Sequence, residues 1–495
     1  MRRHGLVAPT VGALGLSLLV PPLFDGLPQQ GQRALAVLLI TIVLWTTRSL
    51  DSGATSLLGI ALLALTGAAG SVRQALQGFA NPVPYFLVGV LAMGAAVAKS
   101  GLAERLARRI LVHARGRARR VYLQLVLAMP VLTFLLPSAT TRSGILVHIY
   151  EEVFGLARVP AGAGVVKAVM LALCSINRLA STALLTGGIT PVMAAALIGG
   201  MSWTGWLALM AVPYYAILVL GGGLTWWLYR RALTGMLPAA ELERRSRLSG
   251  REWRTLAVVL GASLLWLTDA VHHLDPALPA LLALVALLAP GFGPLVWSDL
   301  ERGVGWGNFF VIGASISLAQ ALGESGAAAW LARGLVGGLP GLGSHPLASI
   351  ASLMVGATIL RAVVPNISGF LALALPIAMS VGREVGLNPL VCALVVMMTG
   401  DAVLYYPVQS ASALVIYERG HVSAGEIARF GLWMTFVAYA AIVLVALPWW
   451  AAMGQPLVHA GSSEFRPRSA LMSHCATTAV DRRLCAGQPP LQPIP

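Results

Sequence analysis

Long uncharged segments alternate with short arginine-rich segments along the whole chain. A helical membrane span needs about 20 apolar residues. Uncharged runs of this order recur at 4–24, 52–72, 74–98, 121–141, 179–229, 303–323, 334–360, 362–382 and 430–463. They are too long for the strands of a membrane barrel, and only helices and closed barrels span lipid. The pattern therefore predicts an all-α polytopic membrane protein that is embedded in a lipid bilayer.

Composition and charge narrow the class of protein further. Hydrophobic residues make up 57% of the chain and charged residues 11%, whereas a soluble chain carries roughly a quarter charged residues. This excludes a soluble enzyme, a disordered protein and a disulfide scaffold. The net charge is +15, but the arginines lie in short loops between apolar runs. That is the positive-inside pattern of a membrane protein, so no nucleic-acid partner is expected.

The arginine clusters predict the topology. Residues 105–120 and 230–254 carry the two densest clusters and are expected in the cytoplasm, as are residues 1–3 and Arg48. The first apolar run is interpreted as a transmembrane helix and not as a signal peptide, because no clean cleavage site follows it. About eleven crossings then give a cytoplasmic N-terminus and an outside C-terminus in a cell membrane, which we expect to be a bacterial inner membrane.

Two halves of the chain share a pattern. Residues 99–108 match residues 324–333 at an offset of 225 positions, with identity at Ser, Gly, Ala, Leu, Ala and Arg. We expect two repeats on either side of a basic segment. The predicted segments are a first transmembrane helix at 1–29, a first repeat at 30–232, a basic cytoplasmic loop at 233–254, a second repeat at 255–453 and a polar C-terminal tail at 454–495.

Each half contains a proline followed by small polar residues inside an apolar run. These prolines are Pro137 and Pro365. Because proline ends a helix and Ser or Asn caps the next one, the pattern predicts two re-entrant helical hairpins. One opens to the cytoplasm at 121–155 and the other opens to the outside at 345–382. Backbone of this kind at membrane depth must be buried in protein or line a cavity.

Two further apolar runs are interrupted, at 186–191 and at 406–412. We expect a broken helix at each place, because interruptions at corresponding positions of two halves point to the binding site of a transporter. Apart from the first transmembrane helix, the eleven predicted crossings divide into five for each half, which is an odd number. The two repeats are therefore predicted to have inverted topology, as alternating access requires.

These residues resemble the divalent anion/sodium symporter family, within the wider ion-transporter superfamily. Residues 138–149 and 366–377 follow the family's two hairpin tips, and residues 387–417 resemble its last broken helix. The resemblance implies eleven spans with two hairpins, a homodimer and elevator-type alternating access. It also implies that Asn and Thr side chains at the tips bind a carboxylate and that nearby backbone and hydroxyl oxygens hold sodium. Ala139 and Ile367 replace the middle Asn of the two tips.

The two tips and the two helix breaks supply the candidate site. Free N–H groups and the dipole of the helix after each tip favour an anion, while capping alone is the alternative role of the tip residues. The candidate substrate-binding residues are Ser138, Thr140, Thr141, Arg142, Thr190, Asn366, Ser368 and Ser410. The candidate ion-coupling residues are Ser138, Gly187, Gly188, Asn366, Asp401 and Gln409, with Na⁺ as the coupling ion that the family implies and no other cofactor.

Charged residues inside the apolar runs need partners, because an arginine at membrane depth costs about 2.5–3.5 kcal/mol on insertion scales. For Arg142 either a substrate anion or a structural partner fits. Arg178 and Asp401 lie at corresponding places in the two halves. They form either a structural ion pair or a site where Asp401 couples protons to transport. Arg361 and Lys167 are expected to pair or to extend towards the membrane surface.

Histidine and cysteine positions indicate no metal site. His148 in the first hairpin is expected to pack, and His272 and His273, which lie near two aspartates, are expected in a solvated loop. Cys475 and Cys485 lie in the C-terminal tail, where they either pair or remain thiols.

The functional hypothesis is a secondary active transporter of small anions, either di- and tricarboxylates or sulfate-like ions. Sodium symport, proton coupling and anion exchange stay open as mechanisms. An intramembrane enzyme is disfavoured because the chain has no zinc motif, no paired intramembrane Asp and no nucleophile spacing. A non-transporting membrane sensor is the remaining alternative.

Overall fold

The computed structural model of the protein describes residues 11–12, 14–15, 23–112, 116–136, 138–236, 248–303, 305–338, 342 and 345–458, with side chains for all of these except 110–112. The described residues form helices joined by turns, with one isolated β-bridge between Arg117 and Met236. The predicted all-α architecture is thereby confirmed. The predicted first transmembrane helix at 1–29 and the tail at 454–495, with both of its cysteines, lie mostly outside the described residues.

The helices of the first half run from Gln29 to Tyr229. They are α1 (Gln29–Thr47), α2 (Ser52–Leu65), α3 (Val72–Ala75), α4 (Gln77–Ala80), α5 (Pro82–Ser100), α6 (Leu102–Val112), α7 (Ala118–Leu135), α8 (Ala139–Leu156), α9 (Gly164–Leu171), α10 (Asn177–Thr182), α11 (Ile189–Ile198) and α12 (Trp203–Tyr229). A π-helical turn, Ala172–Ile176, joins α9 to α10. Two 3-10 turns lie at Leu185–Gly187 and Ala232–Thr234.

The helices of the second half repeat this order. They are α13 (Gly250–Leu267), α14 (Asp269–His272), α15 (Ala277–Leu288), α16 (Trp297–Gly303), α17 (Trp306–Glu324), α18 (Ala327–Gly338), α19 (Pro346–Val363), α20 (Ile367–Val385), α21 (Pro389–Ala402), α22 (Ala411–Tyr417), α23 (Ala424–Ala441) and α24 (Leu447–Ala452). A 3-10 turn lies at Pro407–Gln409, and a π-helical turn, Ile442–Ala446, joins α23 to α24.

Several of these helices have the length and composition of membrane spans. Within the described residues, seven helical segments are long and apolar enough to cross a membrane: Pro82–Ser100, Ala118–Leu135, Gly164–Thr182, Trp203–Tyr229, Pro346–Val363, Ile367–Val385 and Ala424–Ala452. Four shorter apolar helices accompany them: Ser52–Leu65, Ile189–Ile198, Ala277–Leu288 and Pro389–Ala402. The predicted total of about eleven crossings stays a prediction.

Corresponding helices of the two halves make corresponding contacts. Helix α5 packs against α15, and α17 packs against α2, so that each contact joins the two halves. In the same way α8 packs against α22 and α20 packs against α11. Within each half, the first hairpin arm lies on its own broken helix, α7 on α10 and α19 on α21. Two repeats whose helices pack against helices of the other repeat produce this pattern. The boundaries of the repeats stay predictions.

The contact between α5 and α15 requires glycine. A Cβ atom added to Gly89 would lie 2.6 Å from the backbone oxygen of Ala280, closer than two such atoms can approach. Because the side chain of Gly89 is only a hydrogen atom, the backbones of α5 and α15 pack directly against each other. The close approach fixes one of these four contacts between the two halves.

Gly89→Ala is expected to lower the apparent melting temperature of the purified protein, because overpacking a close contact costs about 1–3 kcal/mol. Gly223→Ala in α12 is the matched control, since a Cβ there meets no atom within 4 Å. Thermal unfolding in detergent compares the two variants. Equal melting temperatures would contradict the tight packing of α5 on α15.

Candidate functional site

The first hairpin turns at Ser138, between α7 and α8. Its hydroxyl oxygen caps α8 by accepting a hydrogen bond from the backbone N–H of Thr141 at 3.2 Å. Ser138 and Thr141 are half-buried and Thr140 is exposed. A Cβ atom added to Gly94 would lie 3.9 Å from the Ser138 Cβ. The first tip therefore lies beside α5, and its capping interaction is the one that the sequence predicts for Ser138.

Arg142, one turn beyond this tip, is fully buried. Its Nε donates to Asn177 Oδ1 at 2.6 Å, and its Nη1 donates to the Leu136 carbonyl at 2.6 Å. Its Nη2 donates to the Asn177 carbonyl at 2.9 Å and to Ser181 Oγ at 2.6 Å. Four oxygens surround this guanidinium, and none of the four belongs to a carboxylate. The group joins the end of α7 to α10.

The second hairpin turns at Asn366, between α19 and α20. Asn366 Oδ1 accepts hydrogen bonds from the backbone N–H groups of Ser368 at 2.8 Å and Gly369 at 3.2 Å. A Cβ atom added to Gly369 would lie 3.3 Å from side-chain atoms of both Ile42 and Trp45. The second tip is therefore capped like the first, but it packs against α1.

Arg361 lies before this tip and is also buried. Its Nε donates to the Gly400 carbonyl at 3.0 Å, and its Nη2 donates to the Gln409 carbonyl at 3.2 Å. Its Nη1 donates to the carbonyls of Val364 at 2.8 Å and Pro365 at 2.6 Å. The expectation that Arg361 extends towards the membrane surface is wrong, because backbone oxygens surround its guanidinium.

The two guanidinium groups make equivalent contacts in the two halves. Each binds a carbonyl at the end of its first hairpin arm, where the helix no longer supplies donors. Each also binds a carbonyl of the broken helix in its own half. Arg142 follows its tip whereas Arg361 precedes its tip, so the two contacts are equivalent in space and not in sequence. We call the two sets of contacts the tip clamps.

The break in the first broken helix depends on Gly187. A Cβ atom added there would lie 1.7 Å from the backbone oxygen of Ser181, so the 3-10 turn folds back onto α10. The chain then leaves Gly188 and starts α11 at Ile189. Gly187 and Gly188 thus shape the backbone at this break, and an ion-coupling role for either stays a prediction.

The break in the second broken helix depends on Gln409. Its Oε1 accepts from the backbone N–H of Tyr405 at 2.6 Å, and its Nε2 donates to the Arg361 carbonyl at 2.9 Å. The side chain therefore ties the break to the base of the second tip clamp. Ser410 Oγ lies 2.8 Å from Ser412 Oγ, and the predicted substrate contact of Ser410 stays a prediction.

Arg178 and Asp401 form the buried ion pair that the sequence predicts. Arg178 Nη1 lies 3.0 Å from Asp401 Oδ1 and also donates to the Asp401 backbone carbonyl. Thr182 donates to Asp401 Oδ2 at 2.8 Å, and Thr190 donates to Asp401 Oδ1 at 3.2 Å. The carboxylate is thus held by three side chains from the first broken helix. Proton coupling by Asp401 stays a prediction.

The ion pair lies between the two tip clamps. Arg142 binds Asn177, which precedes Arg178, and Arg361 binds Gly400, which precedes Asp401. Among the described residues, the buried arginines are these three. With Asp401 they form what we call the central charge cluster, whose formal charge is +2 because it contains three guanidinium groups and one carboxylate, of which only Arg178 contacts the carboxylate.

The structure brings together only part of the predicted site. Thr190 meets Asp401, and Gln409 meets Arg361, whereas no hydrogen bond between described residues joins the first tip to the second. Sequence reasoning missed Asn177, Ser181 and Thr182, which bind the central charge cluster. The signal was present, because these polar residues flank Arg178 inside an otherwise apolar run.

Other predicted groups lie outside this cluster. Lys167 pairs with Glu426 at 2.7 Å, as expected for a membrane lysine with a partner. The expectation that His148 packs is wrong, because this residue is exposed and its Nε2 lies 2.9 Å from Arg419 Nη2. His272 binds the Leu265 carbonyl. Across the described ranges, no group of three or more His, Cys, Asp or Glu residues converges as metal ligands would.

Comparison with known proteins identifies relatives over most of the chain. The family described as sodium:sulfate symporter transmembrane region matches residues 3–455. The putative malate transporter YflS of Bacillus subtilis is 22% identical, covering 89% of this chain and 95% of its own length. An L-tartrate/succinate antiporter of Escherichia coli K12 is 24% identical, covering 77% and 81%. The solved structure of the YdaH transporter from Alcanivorax borkumensis, 18% identical, shares the fold with a TM-score of 0.51 over 78% of this chain and 88% of that one.

Arg361→Met is expected to lower the apparent melting temperature strongly. The change leaves four buried carbonyl oxygens without their donor, and each unpaired buried acceptor costs about 1–3 kcal/mol. Arg383→Met is the matched control, because Arg383 is an exposed arginine of the same hairpin. Thermal unfolding of both variants in detergent measures the difference. If the two variants melted at the same temperature, the second tip clamp would have no structural role.

Proposed function

This chain belongs to the sodium:sulfate symporter family, and we propose that it exchanges small dicarboxylates across a membrane without a coupling sodium ion. Membership of the family makes the protein a membrane transporter and not an enzyme. The transported species in this family are anions. What remains to be argued for this chain is the coupling mechanism, the class of anion and the movement.

The tip clamps carry the proposal that sodium is not required. The family resemblance implies that backbone and hydroxyl oxygens near the two tips hold sodium. In this chain the oxygens of Leu136, Val364 and Pro365 accept hydrogen bonds from arginine guanidinium groups. Guanidinium keeps its positive charge at every physiological pH. A fixed cation thus stands at each tip, and its donors occupy backbone oxygens beside the tip.

The charge of the central cluster supports an anion with two negative charges. A dianion balances the formal charge of +2, whereas a monoanion leaves one positive charge. Moving an uncompensated charge into the hydrocarbon costs about 2.5–3.5 kcal/mol or more. The empty site is therefore expected to cross slowly and the loaded site quickly, which makes the carrier an exchanger. The similarity to a putative malate transporter and to an L-tartrate/succinate antiporter favours dicarboxylates over sulfate.

The positions of the two hairpins support an elevator-type movement. The first tip lies beside Gly94 of α5. The corresponding position of α17 is Ala319, which lines a cavity with Pro376 of α20. Pro376 follows Asn366 by about ten residues, or about 15 Å along a helix at 1.5 Å per residue. The second hairpin thus extends further past α17 than the first hairpin extends past α5. This difference is expected if the two hairpins slide together along α5 and α17.

The direction of this offset supports an inward-facing state. Gly369 of the second tip packs against Ile42 and Trp45, close to Arg48, which the positive-inside rule assigns to the cytoplasm. The hairpin that opens to the outside therefore reaches almost to the cytoplasmic end of α1. In the outward-facing state the first hairpin would take the deeper position and the second tip would lie beside Ala319.

The proposal keeps the predicted arrangement of the chain. The repeats at 30–232 and 255–453 are inverted, the N-terminus is cytoplasmic, the C-terminus lies outside, and the protein forms a homodimer in the cell membrane. The tip residues Ser138, Thr140 and Asn366 contact the transported anion together with the central charge cluster.

Exchange in proteoliposomes tests the absence of sodium coupling. Vesicles loaded with succinate take up radiolabelled succinate from media that contain sodium, potassium or choline chloride. Because the cations of the transport cycle are fixed arginines, we expect the three initial rates to agree within about twofold. A rate at least about tenfold higher in sodium would contradict the proposal and favour sodium symport. Protein-free vesicles report the leak.

Cysteine cross-linking tests the movement. In a background without Cys174, Cys392, Cys475 and Cys485, the pair Ile42→Cys and Gly369→Cys should cross-link on oxidation, because the two positions are in contact in the inward-facing state. Exchange should fall by at least about tenfold and return on reduction. The cysteine-free parent, oxidised in the same way, is the control. Unchanged exchange by the cross-linked protein would rule out movement of the second hairpin along α1.

A further inference from the structure

The three buried arginines of the described chain differ in one respect. Arg142 donates hydrogen bonds from Nε and Nη2 to Asn177. Arg361 donates hydrogen bonds from Nε and Nη2 to the carbonyls of Gly400 and Gln409. Arg178 uses only Nη1, which binds Asp401. Its Nε and Nη2 are buried and have no hydrogen-bond partner among the described residues.

The unpartnered edge of Arg178 has a defined chemistry. Nε–H and Nη2–H lie side by side in the guanidinium plane, where they point in parallel and match the two oxygens of a carboxylate. Burial makes an unmade hydrogen bond costly and a made one strong. The exposed fraction of Arg178 is 8%, so this edge of the side chain is aimed into the interior and not at the membrane surface.

We propose that the Nε/Nη2 edge of Arg178 binds one carboxylate of the transported anion in a bidentate contact, an inference that rests on the proposed dicarboxylate function. Asp401 is then a positioning residue. It holds Nη1, and Thr182 and Thr190 hold Asp401 in turn, so the plane of the guanidinium is fixed before the anion arrives. Because both free nitrogens are buried, the anion reaches them only after a local opening of the protein.

The surroundings favour an anion at this edge over a purely structural role. Arg142 and Arg361 bind the residues that precede Arg178 and Asp401, so two further positive charges lie around the pair. Asp401 neutralises Arg178 alone and leaves the other two charges to an anion. A structural ion pair needs one contact to Asp401, which lysine supplies equally well, whereas a bidentate carboxylate site requires the planar guanidinium.

Calorimetric binding of succinate and succinamate tests the inference. Succinamate has one carboxylate replaced by an amide of the same shape. Wild-type protein is expected to bind succinate about 10- to 100-fold more tightly than succinamate, because succinamate has no second carboxylate for the central charge cluster to bind. Arg178→Lys keeps the positive charge beside Asp401 and loses the planar edge. We expect it to bind succinate and succinamate each at least about tenfold more weakly than wild-type protein does, because each ligand has a carboxylate for the planar edge.

The controls separate this role from folding and from the proposed function. Arg383→Lys, a change at an exposed arginine in α20, should keep the wild-type affinities. If Arg178→Lys does not fold, the double variant Arg178→Gln with Asp401→Asn, which removes both charges together and leaves the formal charge of the cluster at +2, should show the same loss of affinity. Wild-type affinity for succinate in either variant would overturn the role of Arg178 alone. Failure of wild-type protein to prefer succinate would overturn the dicarboxylate function and this inference with it.

Discussion

A positive charge buried at membrane depth must be surrounded by oxygen atoms, and the rest of this structure depends on that requirement. Helix ends supply such oxygens, because the last carbonyls of a helix have no donor within it. At each hairpin tip one buried arginine meets carbonyls that the break leaves free. The break and the arginine stabilise each other, since either one alone would leave polar groups unpaired in an apolar environment. The result is a fixed positive charge at each tip, where an anion is to be carried.

The exchange of helices between the two halves connects the two clamps through the ion pair of Arg178 and Asp401. Each hairpin arm that follows a tip packs on the broken helix of the other half, α8 on α22 and α20 on α11. The clamps, by contrast, act within a half. The ion pair of Arg178 and Asp401 joins the two halves between the clamps, so the hairpins and broken helices are linked both within and across the repeats. A unit held together in this way is what the proposed elevator-type movement requires.

Local chemistry explains which parts of this arrangement are predictable from sequence. The tips at Ser138 and Asn366 are predictable because proline and a capping side chain act within a few residues. The pair of Arg178 and Asp401 is predictable because opposite charges stand at matching places in two apolar runs. Two of the four acceptors of Arg142 are not, because they are the backbone carbonyls of Leu136 and Asn177, and a carbonyl leaves no mark in the sequence. The depth of each hairpin likewise depends on the state of the whole molecule.

In the proposed exchange the empty carrier crosses slowly and the loaded carrier crosses quickly, and efflux from vesicles measures this difference most directly. Proteoliposomes are loaded with radiolabelled succinate and diluted into sodium-free buffer, with or without succinate outside. Because two fixed arginine charges must be balanced by the anion before the site crosses the membrane, external succinate should accelerate efflux by at least about tenfold. Equal efflux with and without external succinate would contradict the account, since the empty site would then return as readily as the loaded one.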